Sequence, residues 1–144
     1  MKNSRFWYGL LLIFALSFFV WYVRGGFNPP LSCKYENSDK VLICIDVSEN
    51  QLLKTPAHLT GEARGYWFFE GSFPVSLLDE SDNLLARSIA VADMDWMTEE
   101  MVSFTIDFKF EKPLGKIGTL VLYRDNPSGL PQNDDSLEIP VKLY

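Results

Sequence analysis

Four aromatics stand in a row, Tyr66, Trp67, Phe68 and Phe69, inside "GEARGYWFFEGSFPV" (61–75), with Arg64 just before them and Glu70 just after. Further on, "DNPSGLPQNDDS" (125–136) supplies Asp125, Asn126, Asp134 and Asp135. Exposed Tyr and Trp beside fixed carboxylates suit sugars, peptides or a cationic partner. Arg64, Tyr66, Trp67, Glu70, Asp125, Asn126, Asp134 and Asp135 are therefore the candidate binding residues. The competing account is structural: Trp67 and Phe69 close the open end of the fold, while Arg64 pairs with Glu70 or with an acid of the later loop.

Catalysis and metal binding find less support. "DNPSGL" and "NDDS" fit no EF-hand spacing. Two cysteines without a histidine pair do not make a zinc site. The single histidine, His58, alternates outward beside Thr60 and Glu62. No Gly-x-Ser-x-Gly, cysteine–histidine pairing or phosphate loop occurs. A carboxylate pair for glycoside hydrolysis is conceivable in Glu70 and Asp134, but a domain of this size offers little cleft. The expectation is a protein that is no enzyme and takes no cofactor or metal.

The elements that would position these residues follow from periodicity. The clearest is "MVSFTIDFKF" (101–110), where Val102, Phe104, Ile106, Phe108 and Phe110 alternate with polar residues. Period two over ten residues is a half-buried antiparallel strand. Similar segments are "VLICIDV" (41–47), "AHLTGEA" (57–63), "SFPVSLLD" (72–79), "LLARSIAVAD" (84–93), "IGTLVLYR" (117–124) and "SLEIPVKL" (136–143). Pro140 cannot donate to a ladder, so the last of these is expected at an edge or with a bulge. Seven strands with turns near every ten residues predict an all-β fold, an antiparallel β-sandwich. Residues 25–40, "GGFNPPLSCKYENSDK", read as a linker ahead of a 41–144 domain.

Before the linker, Phe6 to Val23 runs eighteen residues without a charge. As a helix it spans about 27 Å, close to the hydrocarbon thickness of a bilayer. Trp7, Tyr8, Trp21 and Tyr22 mark its two ends, where interfacial aromatics belong. A cleaved signal peptide is the alternative, with an apolar core normally shorter than this one. The reading is a transmembrane anchor over residues 1–24. Lys2 and Arg5 precede the segment and Arg24 alone follows it, which sets the amino terminus in the cytoplasm and the rest outside the cell membrane. After Arg24 the chain carries ten basic and nineteen acidic side chains, a net of −9. That surface argues against nucleic acid as a partner. Outside the membrane, Cys33 and Cys44, with ten residues between them, are expected to form a disulfide.

Three stretches depart from plain alternation: "GEARGYWFFEGSFPVSLLD" (61–79), "DWMTEE" (95–100) followed by Phe104, and "DNPSGLPQNDDSLEIPV" (125–141). In this order and spacing they closely resemble the immunoglobulin-like domain family associated with bacterial spore germination proteins, the second Gmad domain, over roughly residues 41–144. The resemblance implies a bacterial, extracytoplasmic, immunoglobulin-like sandwich; it carries over no catalytic residue and no ligand. The expected protein is a membrane-anchored, non-catalytic module that binds or assembles envelope proteins or cell-wall polymer. The alternatives are a structural stalk without its own ligand and, more distantly, a small hydrolase. In immunoglobulin topology the aromatic run and the "DNPSGLPQNDDS" loop share one end of the sandwich. The chain also enters the first strand at that end in this topology, tied by the linker to the anchor, so the aromatic end is expected to face the membrane.

Overall fold

The computed structural model describes residues 31–111 and 117–143. Each alternating segment forms a strand, because only a pleated strand puts every second side chain into one apolar layer. The strands are β1 (Ser32–Asn37), β2 (Lys40–Ile45), β3 (Gln51–Leu53), β4 (Ala57–Arg64), β5 (Ser72–Asp79), β6 (Leu84–Ala92), β7 (Met101–Phe108), β8 (Ile117–Tyr123) and β9 (Ser136–Leu143). Their hydrogen-bonded order is β1-β2-β4-β7-β6-β5-β8-β9-β3. β6 makes the corner of the sandwich. It pairs with β5 from Leu84 to Val91, but with β7 only through Ala90, Val91 and Ala92. One layer is thus β1-β2-β4-β7 and the other β6-β5-β8-β9-β3. Ile43, Phe104 and Ile106 from the first and Phe73, Leu120 and Ile139 from the second are buried in one core.

The all-β, immunoglobulin-like expectation holds, and seven of the nine strands coincide with the alternating segments. Two do not. β1 lies within residues 25–40, the expected linker, and pairs antiparallel with β2 from Ser32↔Ile45 to Asn37↔Lys40. β3 is three residues long and runs parallel to the end of β9, Gln51↔Val141 to Leu53↔Leu143. β9 is therefore not at the edge as Pro140 suggested. The Pro140 carbonyl accepts from Asn50 N at 2.7 Å, so the side of the residue that lacks a donor faces the start of β3. The ladder between β9 and β8 stays intact.

Antiparallel pairing brings the β1–β2 turn, the β4–β5 connection, the β6–β7 connection and the β8–β9 connection to one end, here called the loop end. The strand read first from the sequence, β2, does start at this end, but it is preceded by β1, so the linker does not lead straight into the loop end. β1 begins level with Ile45, in mid-sheet, runs toward the loop end and turns back there into β2. The Cys33–Cys44 disulfide pins this added strand to β2 across the pair Cys33↔Cys44, with Cα atoms 4.1 Å apart. The bridge expected from the sequence is present. Cys44 points out between the buried Ile43 and Ile45, so its sulfur is free to meet the neighbouring strand.

Among the described residues no helix is long and apolar enough to cross a membrane. The expected anchor, residues 1–24, lies outside them.

Candidate binding site at the loop end

The aromatic run follows β4 directly as a single 3-10 turn, Gly65–Trp67. The turn forms because its first residue has no side chain. A Cβ on Gly65 would run into the carbonyl oxygens of Trp96 and Thr98. This close approach lets Gly65 N donate to Glu100 O at 3.0 Å. The "DWMTEE" segment is thereby laid against the start of the aromatic run. From the other side, Asp125 N donates to Trp67 O at 3.0 Å and Arg124 Nε to Tyr66 O at 3.2 Å. The three distinctive stretches of the sequence converge on this one turn.

The aromatics then divide between inside and outside. Trp67 and Phe68 are buried, edge-to-face with Phe73 at centroid distances of 6.4 and 5.1 Å. Phe73 continues the cluster to Phe104 at 5.0 Å. Such pairs add about 0.5–1.5 kcal/mol each beyond the area they bury. The Trp67 indole nitrogen has no hydrogen-bond partner there. Phe69 turns out, 42% exposed, which corrects the expectation that Trp67 and Phe69 form the plug. The reason is the tight turn Phe69–Ser72. Each end residue donates to the other's carbonyl, at 3.0 and 3.1 Å, with Glu70 and Gly71 at positive φ of 50° and 77°. Directly opposed residues share a face of the sheet, and Ser72 faces out because Phe73 faces in.

The other candidates are mostly engaged within the chain. Arg64 donates through Nε to Val41 O at 2.9 Å and through Nη1 to Glu99 O at 3.3 Å, and its ion pair is with Glu100 at 3.8 Å. Its partner is neither Glu70 nor an acid of the late loop. Glu70 is exposed at the tip of the tight turn. Asn126 Nδ2 donates to Leu130 O at 2.9 Å and to Asp134 Oδ1 at 2.7 Å. Asp135 pairs with Lys34 of β1, which also donates to Ser136 O at 2.8 Å. Trp67, fully buried, offers no surface to a ligand. The loops of Tyr66 and Asp125 do meet, as topology required.

Three features of this end were not singled out from the sequence. The first is a pair of cations on Tyr66, with Lys40 Nζ at 5.8 Å and the Arg124 guanidinium at 5.4 Å from the ring centroid. Glu36, hydrogen-bonded to Lys40, raises the pKa of that ammonium above its ordinary value. The second is Trp96, packed partly buried on the core beside Gly71. The third is apolar exposure: besides Phe69, Met97 is 76% exposed, and Met94 and Leu130 are also open to solvent. "DWMTEE" stood out as a block, and its own Met97 with the preceding Met94 was the signal available.

Elsewhere, His58 Nδ1 and Asp107 Oδ1 lie 2.9 Å apart on an open face of the first layer, at an ordinary cross-strand pair. Among the described residues no group of three or more His, Cys, Asp or Glu is arranged to hold a metal ion.

No curated protein and no solved structure matches the chain. The family model described as the immunoglobulin-like domain of bacterial spore germination matches residues 48–130, more than half of the chain. That span runs from just before β3 through the loop end to Leu130, and contains the 3-10 turn with its contacts to Trp96, Thr98 and Asp125. Membership points to a non-catalytic domain. This chain belongs to the family of immunoglobulin-like domains of bacterial spore germination, and β1, with its disulfide, lies outside the matched span.

Proposed function

We propose that the protein is a membrane-anchored, extracytoplasmic binding module, non-catalytic, that joins envelope proteins or cell-wall polymer through the loop end of its sandwich. The observation that carries this reading is the group Phe69, Met94, Met97 and Leu130. These large apolar side chains stand exposed on three loops fastened to one turn. An exposed apolar group on a rigid base is the usual core of a contact surface, and methionine adapts to irregular partners. The polar candidates serve mainly to hold that base. Arg64 and Asp135 tie the loops to β2 and β1, and Asn126 closes the late loop on itself.

Anchoring rests on the apolar segment Phe6–Val23. The path of β1 supports carrying the loop end away from the membrane, because the chain approaches that end from mid-sheet. Partners are then met outward from the bilayer.

Photo-crosslinking in cells tests the reading. A crosslinker at position 97 is expected to capture an envelope protein or wall polymer, and the yield is expected to collapse when Phe69→Glu is added. A crosslinker at position 107, on the acidic face, is the control. Equal capture from 97 and 107, or capture from 97 that ignores Phe69→Glu, contradicts the proposal.

A further inference from the structure

The outer face of the β6-β5-β8-β9 layer differs in kind from the rest of the surface. Its outward positions are read from the register. Ile89 opposes Pro74, Arg87 opposes Ser76, Ser76 opposes Val121, and Val121 opposes Glu138, with Ser76 and Val121 themselves buried at the centre of the row between the exposed Arg87 and Glu138. Ile89 is 55% and Val91 47% exposed, with Tyr123 open beside Pro74 at a surface depression of about 380 Å³. Charges are few. Arg87, Glu138 and Lys142 are the outward charged residues on these four strands, a net of +1 where the chain beyond Arg24 carries −9. Most other approaches of two copies would set acid against acid; this face is the exception.

We infer that this face pairs with the same face of a second copy of the chain. The register makes it self-complementary. Arg87 and Glu138 occupy one row, on the two strands flanking the central pair β5 and β8. A two-fold axis in the interface, along the strands and over the β5–β8 seam, sets Arg87 of each copy against Glu138 of the other. It also sets Pro74 of each copy against Tyr123 of the other. Neither Arg87 nor Glu138 has an ion pair within its own chain among the described residues. Four strands at about 4.8 Å spacing and eight residues at about 3.3 Å give a plane of roughly 500 Å². A standard stable interface buries about 800 Å² per partner, so the pair is weak and concentration-dependent. This inference stands apart from the loop-end reading, since it uses a different surface.

Charge reversal on the full chain in detergent, followed by analytical ultracentrifugation, tests it. The natural protein is expected to dimerise reversibly. Arg87→Glu alone and Glu138→Arg alone should each weaken dimerisation about tenfold or more, since both contacts become like-charged. An equal mixture of the two variants should recover it, because both contacts are again opposite in charge. Ile89→Asp, at an exposed site, should weaken it as well. Self-association indifferent to these reversals, no recovery on mixing, or a natural protein that stays monomeric at the highest attainable concentration overturns the inference.

Discussion

The two outer faces of this sandwich are built from strands of the same pattern and come out opposite. On β4 and β7 the outward side chains include Thr60, Glu62, Ser103, Thr105 and Asp107, and none of the large exposed hydrophobics lies on β2, β4 or β7. On β6 and β8 the outward positions include Ile89, Val91, Ile117 and Tyr123, all exposed. A sheet needs one apolar face, the inner one, to fold; a second is not required for stability. The acidic side shows what solvent alone asks of this fold; the apolar side and the apolar loop end go beyond that, and they are the two surfaces proposed above to meet a second copy and an envelope partner. Net charge alone conceals this, because the acidity is not evenly spread.

The comparison predicts unequal costs of substitution. The largest effect belongs to the inner layer that both faces share. Phe104→Ala should cost about 3–5 kcal/mol, since Phe104 is fully buried against Phe73 and Phe68. Glu62→Ala, outward on the acidic face, should stay within about 0.5 kcal/mol. Denaturant unfolding of both variants checks this, and comparable losses would dissolve the distinction between inner and outer positions.

Next comes the strap. Replacing Cys33 and Cys44 together by Ser should lower stability by about 3 kcal/mol on the chain-entropy account of a short closed loop. It should also free β1 without disturbing β4 to β8. Hydrogen exchange is the measurement, with the expected gain confined to β1, β2 and the Lys34–Asp135 contact. Uniform loosening would show that β1 is part of the body.

A smaller effect is expected at Tyr66. Tyr66→Leu removes the ring faced by Lys40 and Arg124 and should cost about 1 kcal/mol, most of it in the order of the loop end. Backbone relaxation of residues 124–135 would report it.

The smallest concerns the β5–β6 turn. The Asp79 carboxylate accepts from the Asn83 side chain at 3.0 and 3.2 Å and from the backbone of Asn83 and Ser81 at 2.9 and 2.8 Å. The Asn83 side chain first, then these backbone donors, hold its pKa below the ordinary aspartate value. A depressed carboxylate lends its stabilisation above the unfolded pKa, and that stabilisation is lost as pH falls through the folded one. Carboxyl NMR should find Asp79 titrating low and moving up in Asn83→Ala.

What the sequence disclosed follows the same division. Strands such as Met101–Phe108 announce themselves because one side faces the core and the other water, so burial is written into every second residue. β1 escaped because its "SCKYEN" sits in a stretch rich in turn-forming residues, at an edge with register shifts that break the period. β3 is too short to show a period at all. In the loops no period exists, so the choice of Phe68 over Phe69 as the buried ring was decided by the tight turn at Glu70–Gly71. Glycine told only part of that, because Glu70 also takes positive φ. The engagements of Arg64 and Asp135 depend on β1, β2 and the 99–100 segment, which no local reading of the aromatic run brings near.

The most direct test of the central claim is oxidative footprinting of the protein in intact envelopes against the purified protein. Met94 and Met97 sit exposed at the loop end, and His58 sits exposed on the acidic face. If the loop end is a contact surface, both methionines are strongly protected in the envelope while His58 reacts equally in the two preparations. Equal oxidation of Met97 in both preparations would contradict the account.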